Sequence, residues 1–228
     1  MVVMKRSILI LSLASMLAAT ISCTAQKTDR SAQTEAQKKD PVEVPMEGGL
    51  AHAYFASGCF WCMEAVYESV KGVKEAHSGY SGGHKENPTY EDSNTGKSGH
   101  AESVEVIYDP KVVKFETLLD VYFGSQDVTQ ANGQGPDHGS QYRSIIFYQN
   151  AEQKKAIDEK IAALNKKIAP KEAAAEVLPF QKFWMAEDYH QDYEKNHPEN
   201  SYVQGVSTPR LRKFQDKFPE LLKAGVKH

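Results

Sequence analysis

The chain has 228 residues, 40% of them apolar and 25% charged, with a formal net charge of −3. That length fits one globular domain with extensions and leaves little room for two full domains. A near-neutral balance without a long basic block excludes a nucleic-acid partner held through phosphate contacts.

Read from its start, the chain begins with an export signal. Lys5 and Arg6 form a short positive region, and the apolar run ILILSLASMLAAT, Ile8 to Thr20, follows them. The run is too short to span a bilayer comfortably, and small residues come after it, as in a secretory signal peptide. Cys23, directly after Ile21-Ser22, resembles the cysteine of a bacterial lipobox, which is acylated and becomes the new N-terminus, although Thr20 stands where leucine is usual. Residues 1–22 are therefore expected to be a lipoprotein-type signal. The protein is then exported, periplasmic or at the cell envelope, and touches membrane only through a lipid on Cys23. Ordinary cleavage after Ala25, at the small-x-small site Cys23-Thr24-Ala25, is the alternative. Residues 23–49 are polar, lack a sustained apolar period, and read as a flexible tether.

Beyond the tether, Leu50 to Ser57 predicts a strand and Cys59 to Val70 a helix. Met63, Val66 and Val70 fall at helical spacing, and Gly72 supplies the stop. Val73 to Gly79 predicts a strand closed by GYSGG, and Ala101 to Pro110 a clear one ended by Asp109-Pro110. Phe115, Leu118, Leu119 and Tyr122 mark an amphipathic helix. Tyr142 to Asn150 is a strand apolar on both faces. Asn150, with Gln153 three residues on, caps a long helix whose stripe is Ile157, Ile161, Leu164 and Ile168. Ala173 to Phe180 predicts an edge strand, and Ala186 to Asn196 a last short helix. From Leu50 to Asn150 the order is strand, helix, strand, strand, helix, strand. That is the split βαβ or ferredoxin-like unit, so the fold class is α+β, a two-layer sandwich with an irregular C-terminal region. The folded domain is placed at 50–215 and a tail at 216–228.

The chemistry concentrates in GCFWC. With three cysteines in the chain and Cys23 set aside for lipid, Cys59 and Cys62 form an isolated C-x-x-C pair, which is catalytic or metal-binding more often than structural. Cys59 sits where a strand hands over to a helix, where unpaired N–H groups and the helix dipole favour thiolate. Cys62 lies on nearly the same helix face, close enough for a disulfide with modest backbone movement. Glu102 shares parity with Val104, Val106 and Tyr108. On that apolar face its pKa rises and it stays protonated as a general acid, unless a bulge near His100 turns it to solvent. His100-Ala101-Glu102 adds an H-x-E to the C-x-x-C, but the order is reversed from zinc deaminases and a fourth ligand is missing, so no metal is assigned. Tyr80, Tyr142 and Tyr189, all beside loop signals, suggest a pocket lined by phenols.

Together GCFWC, GYSGG, NPTYEDSNTGKSGHAESVEVIYDP, DHGSQYRS and AEDYHQDY resemble the peptide methionine sulfoxide reductase A family over about Ala51 to Pro209, with the motifs in the family's order. The resemblance implies reduction of the S epimer of methionine sulfoxide, free or in oxidised proteins, without a bound metal or organic cofactor. By motif it implies Cys59 as nucleophile, Glu102 as the proton donor to the sulfoxide oxygen, and Tyr80 and Tyr142 as hydrogen-bond donors to that oxygen. Phe60 and Trp61 would grip the substrate methyl, with Asp137 beside the pocket. Attack yields methionine and a sulfenic acid on Cys59, and a second thiol then closes a disulfide that an external dithiol such as thioredoxin reopens. The resolving cysteines that the family often carries near its C-terminus are absent after Tyr202, which leaves Cys62 as resolver. A monomer is expected. Two other readings compete: a thioredoxin-like thiol–disulfide oxidoreductase, which needs a cis-proline opposite the thiols, and a lipid-anchored binding protein in which Cys59 is passive packing.

Overall fold

The computed structural model describes residues 38–225. The expected signal peptide, Cys23 and residues 23–37 of the tether lie outside the described residues. Strand β1 (Ala51–Ala56) leads into helix α1 (Phe60–Glu68), then β2 (Val73–Ser81), the short helix α2 (Tyr90–Asn94), β3 (Ala101–Tyr108) and helix α3 (Phe115–Gly124). A two-residue hairpin, β4 (Gly133–Gln134) with β5 (Asp137–His138), precedes β6 (Ile145–Tyr148). Helix α4 (Ala151–Ile168), β7 (Glu176–Pro179), β8 (Phe183–Met185), α5 (Tyr193–Asn196) and α6 (Thr208–Lys217) complete the domain.

The main sheet runs β7-β6-β1-β3-β2-β8. Its four central strands carry the order of a split βαβ unit: first and third side by side, second and fourth flanking them. Those pairings are antiparallel, with Ala53 opposite Val106 and Tyr80 opposite Glu102, while β7 adds to β6 in parallel. Period-two alternation sorts the faces. Phe55, Val104, Val106 and Ile146 join Met63, Val66, Leu118 and Leu119 of the helices in the larger core. Tyr54, Ala56, Ile145 and Phe147 pack on the other side with Leu178 and Phe180. Both faces of β6 are thus covered, as its unbroken apolar run predicts.

Asn150 caps α4 through its side chain, which accepts the Gln153 N–H at 2.9 Å, while Gln153 reaches back to the Gln149 N–H at 2.9 Å. Of the expected stripe on α4, Ile157 is buried and the rest are half-buried.

Several expectations are corrected. Residues 40–49 are not free tether: Val42 donates to the Phe180 carbonyl at 2.8 Å, Val44 to Gln149 Oε1 at 2.8 Å, and Glu47 bridges to Leu50. Val44 is half-buried against the smaller core, a contact too isolated to announce itself in a polar stretch. The C-terminal tail also docks. Lys71 donates to the Leu221 carbonyl at 2.7 Å and Lys223 to that of Ser69 at 2.9 Å. The helix expected over Ala186 to Asn196 is broken into a 3₁₀ turn at Asp188–His190 and α5, because Asp192 takes a left-handed φ of 54° and gives its N–H to Glu64 Oε1 at 3.1 Å. Finally, β2 continues through the glycine signal as far as Ser81. Gly79 is there because β8 crosses so closely that a Cβ would stand 2.4 Å from the Trp184 carbonyl oxygen.

Candidate active site

The turn between β1 and α1 sets the site. Gly58 takes a φ of +65° and donates to the Tyr142 carbonyl at 3.0 Å; a Cβ on it would lie 2.7 Å from that of Gln134. Only glycine meets both demands. Cys59 follows as the N-cap of α1, with its side chain making no cap bond. Cys59 and Cys62 are both free thiols and both buried, at 6% and 1% exposure.

Glu102 faces them from β3. Its parity with Val104, Val106 and Tyr108 holds, no bulge turns it out, and it is 2% exposed. Glu102 Oε2 accepts the Phe60 N–H at 3.0 Å, so the first free donor of α1 is taken by this carboxylate. Burial outweighs that bond and raises the Glu102 pKa to about 8. At neutral pH it carries a proton.

Burial, with this carboxyl beside it, corrects the expectation of a resting thiolate. The donor that was to stabilise the Cys59 sulfur is occupied, and complete burial pushes the Cys59 pKa well up, helped by Cys62 and by Glu102. Cys62 moves the other way, to about 7, because it hydrogen-bonds the Cys59 thiol and lies within the field of the Arg210 guanidinium. Arg210 is fixed by the carbonyls of Ser57 at 3.0 Å and Ser125 at 2.8 Å. Cys59 thus rests as a thiol.

Aromatic rings cluster beside Cys59. Phe60 packs against Tyr80, Tyr90 and His190, with centroids 5.8, 6.3 and 4.9 Å away. Trp61 stacks on Tyr193 at 3.7 Å and 7°, and its Nε1–H donates to His190 Nδ1 at 3.1 Å. Nδ1 of His190 is therefore an acceptor, which places the proton on Nε2. Tyr142 lies near Glu102 and Cys59, and burial followed by the Glu102 charge pushes its pKa up. Its hydroxyl makes no hydrogen bond to the described residues, leaving it available as a donor.

Tyr80 and Tyr189 are placed differently from expectation, while Asp137 lies beside the thiols as expected. Tyr80 is fully buried opposite Glu102, but its hydroxyl donates to Glu187 Oε2 at 2.9 Å, so it is committed to a carboxylate. Asp137 acts through a phenol: its Oδ2 accepts the Tyr202 O–H at 2.6 Å. Tyr189 points outward, 59% exposed, and belongs to no phenol pocket. His100 is bound to backbone, accepting the Gly83 N–H at 3.1 Å on Nδ1 and meeting the Lys85 carbonyl at 2.7 Å with Nε2.

Sequence reasoning missed Tyr202. Its hydroxyl lies 3.8 Å from Cys62 Sγ, its ring meets Trp61 edge-on at 6.0 Å, and it lowers the pKa of both cysteines. It also missed Arg210, His190, Tyr193 and Glu187. The last three lie inside AEDYHQDY, where two aromatic-type side chains at i and i+3 were a readable sign of a wall; Tyr202 and Arg210 carried no local signal.

A neutral acid, a buried thiol, a free phenol and an aromatic cage therefore converge on one helix start. A family model described as "Peptide methionine sulfoxide reductase" matches residues 51–222. The chain is 50% identical over 171 residues to "Peptide methionine sulfoxide reductase MsrA" of Pasteurella multocida, covering 75% of this chain and 98% of the relative. It is 46% identical over 171 residues to the protein of that name from Saccharolobus solfataricus, covering 75% and 96%. Among solved structures it is similar to "Methionine sulfoxide reductase A of Corynebacterium diphtheriae", with a TM-score of 0.62 and 31% identity over 72% of this chain and 84% of that one. It is also similar to "Mxr1 from Saccharomyces cerevisiae in reduced form", with a TM-score of 0.57 and 30% identity over 71% and 92%. On this fold, this site and these relatives, the chain belongs to the peptide methionine sulfoxide reductase family.

Proposed function

We propose that the protein reduces the S epimer of methionine sulfoxide, free or within oxidised proteins, to methionine. The observation that carries this reading is the Glu102 carboxyl, held neutral by burial and pinned to the first N–H of the helix that Cys59 caps. A sulfoxide sulfur yields to a thiol only when its oxygen is polarised or protonated, and these two groups supply acid and nucleophile to one small volume.

The substrate methyl enters the cage of Phe60 and Trp61, and Tyr142 and the protonated Glu102 donate to the sulfoxide oxygen. Tyr80 joins them if Glu187 releases its hydroxyl. The Cys59 sulfur attacks the sulfoxide sulfur and Glu102 protonates the oxygen. The products are methionine and Cys59 sulfenic acid, and the proton lost by the Cys59 thiol restores Glu102. Cys62, whose low pKa makes it the readier of the two thiols to ionise, then attacks the sulfenic sulfur, forming the disulfide and releasing water. A thioredoxin-type dithiol reopens it. Cys62 lines a groove of about 440 Å³ rimmed by Arg210, Lys213 and Lys217, a route by which a thiol can reach the pair.

The protein is exported and tethered by lipid on Cys23, and it works as a monomer without metal or organic cofactor. Release from membranes by detergent alone, lost in Cys23→Ala, tests the anchor. The activity itself is tested by turnover with dithiothreitol. Methionine should form stoichiometrically from the S epimer and not from the R epimer. Reduction of insulin disulfides without any methionine would instead favour a thiol–disulfide oxidoreductase.

A further inference from the structure

A second pocket, of about 400 Å³, opens on the far side of Trp61. One wall is the outward face of α1, where Trp61, Glu64, Ala65 and Glu68 stand at helical spacing. Across from it are Asp192, Tyr193 and Glu194, and α6 contributes Gln215. Its lining holds four carboxyl groups against one ammonium, that of Lys195, which lies 3.6 Å from Asp192.

Two of the carboxyls are already engaged, whereas that of Glu68 accepts no hydrogen bond from the described residues. Glu194 accepts from the hydroxyls of Ser207 and Thr208, and Glu64 from Ser78 Oγ at 2.9 Å and the Asp192 N–H at 3.1 Å. Burial raises the Glu64 pKa to about 7, and it raises that of Glu68 too, with Asp192 adding repulsion while Lys195, Lys223 and His77 oppose it. Independently, Gln215 is 3% exposed and its Oε1 has no hydrogen-bond partner among the described residues. An orphan acceptor of this kind costs stability unless something fills it. The pocket therefore offers the unengaged Glu68 carboxyl, more carboxyls than ammonium groups, and a stacked aromatic pair, and the burial that raises the Glu64 and Glu68 pKa values is relieved by an incoming cation; together these select a cation with several N–H donors.

Trp61 lines this pocket and also neighbours Phe60, the residue after Cys59, with ring centroids 6.2 Å apart. Glu64 and Glu68 lie five and nine residues beyond Cys59, or roughly 7 to 14 Å along the helix at 1.5 Å per residue. An extended peptide advances about 3.3–3.6 Å per residue, so a long side chain one or two positions from the oxidised methionine reaches that depth.

Building on the proposed reductase activity, we propose that this pocket is a specificity subsite for an arginine or lysine one or two residues from methionine sulfoxide in a protein substrate. The site thereby favours oxidised methionines in basic sequence contexts and disfavours acidic ones.

The test compares short acetylated peptides carrying one S-sulfoxide and either arginine, glutamine or glutamate, one or two positions before or after it, with free methionine sulfoxide as reference. For at least one placement kcat/KM should follow Arg > Gln > Glu, with arginine ahead of glutamine by roughly tenfold, mainly through KM, as expected for one charge-assisted hydrogen bond. Raising the ionic strength to about 0.5 M should shrink that ratio. Glu68→Gln and Gln215→Leu should shrink it as well. Rates within about twofold for all three peptides at every placement, or a ratio unchanged in both variants, would overturn the subsite while leaving the reductase intact. Failure to reduce even free methionine sulfoxide would overturn the reductase reading, and the subsite with it.

Discussion

The carboxylate of Glu102 caps the helix that begins at Phe60, accepting its N–H at 3.0 Å across 42 residues of sequence. One bond thereby fixes the Glu102 carboxyl relative to the Cys59 sulfur, because Cys59 is the residue before Phe60. Burial chiefly sets the resting state of the Cys59 sulfur, pushing its pKa well up, and the nearby Cys62 and Glu102 add to that rise.

Glu102→Gln keeps the shape and the acceptor for Phe60 but has no proton to give. The chemical step should slow by roughly 10²–10⁴-fold, as loss of general acid catalysis does, in a single-turnover assay where recycling cannot mask it. In the wild type the protonated form is present below a pKa of about 8 and lost above it, so the rate of that step should fall as pH rises through 8. A loss below about threefold, or a flat profile there, would show that another group is the acid.

The same group makes stability depend on pH. The folded pKa is raised from 4.5 to about 8, so between those values the folded protein holds a proton that the unfolded chain has released. Stability attributable to Glu102 therefore declines as pH rises through that window, by at most about 1.4 kcal/mol per unit. Glu102→Gln should become progressively more stable than wild type from pH 5 to 8, measured by urea unfolding. A difference independent of pH would contradict the buried neutral carboxyl.

Cys62→Ser should still release one methionine per enzyme in a single turnover, leaving Cys59 as a sulfenic acid. Cycling with thioredoxin should fall sharply, and dithiothreitol, small enough to reach the sulfenic sulfur, should restore part of it. Wild-type cycling with thioredoxin would mean that Cys62 is packing and that the reductant attacks Cys59 itself.

Tyr202→Phe retains the edge-on contact with Trp61 and deletes the hydroxyl beside Cys62. Because that hydroxyl lowers the pKa of both cysteines, turning its proton from Asp137 to the sulfur as a thiolate forms, thiol titration should move to higher pH, and alkylation by iodoacetamide at pH 7 should slow by roughly tenfold for a hydrogen bond to a charged sulfur. An unchanged alkylation profile would remove Tyr202 from the thiol environment.

Trp61→Ala removes the wall shared with Tyr193 and the donor to His190, yet leaves both sulfurs and the acid in place. The KM for sulfoxide should rise by at least roughly tenfold, in line with the loss of a buried aromatic contact, while Cys59 alkylation changes little. Equal losses in both would indicate a damaged fold.

Much of this was legible in the sequence. Strict alternation along β3 put Glu102 among valines, and the Asn150–Gln153 spacing announced the start of α4, because both signals are local and periodic. The βαββαβ order followed from the same periodicities. What stayed hidden was set by long-range packing. Tyr202 reaches Cys62 across 140 residues, and Arg210 meets the Ser57 carbonyl across 153. The strap at 40–49 is held by backbone bonds that any polar sequence can make. Helix dipole reasoning at Cys59 was outweighed by burial, which long-range packing sets and no local signal reveals, with the Glu102 carboxyl from β3 adding to it.

The central claim is that Cys59 takes the oxygen and Cys62 resolves it. Pre-reduced enzyme mixed with an excess of methionine S-sulfoxide, with no external reductant, tests it directly by methionine quantification and peptide mapping. The account predicts one equivalent of methionine per enzyme, both thiols lost to alkylation, and a single peptide pair joined through Cys59 and Cys62. No methionine, or one equivalent with Cys62 still fully alkylatable, would contradict it.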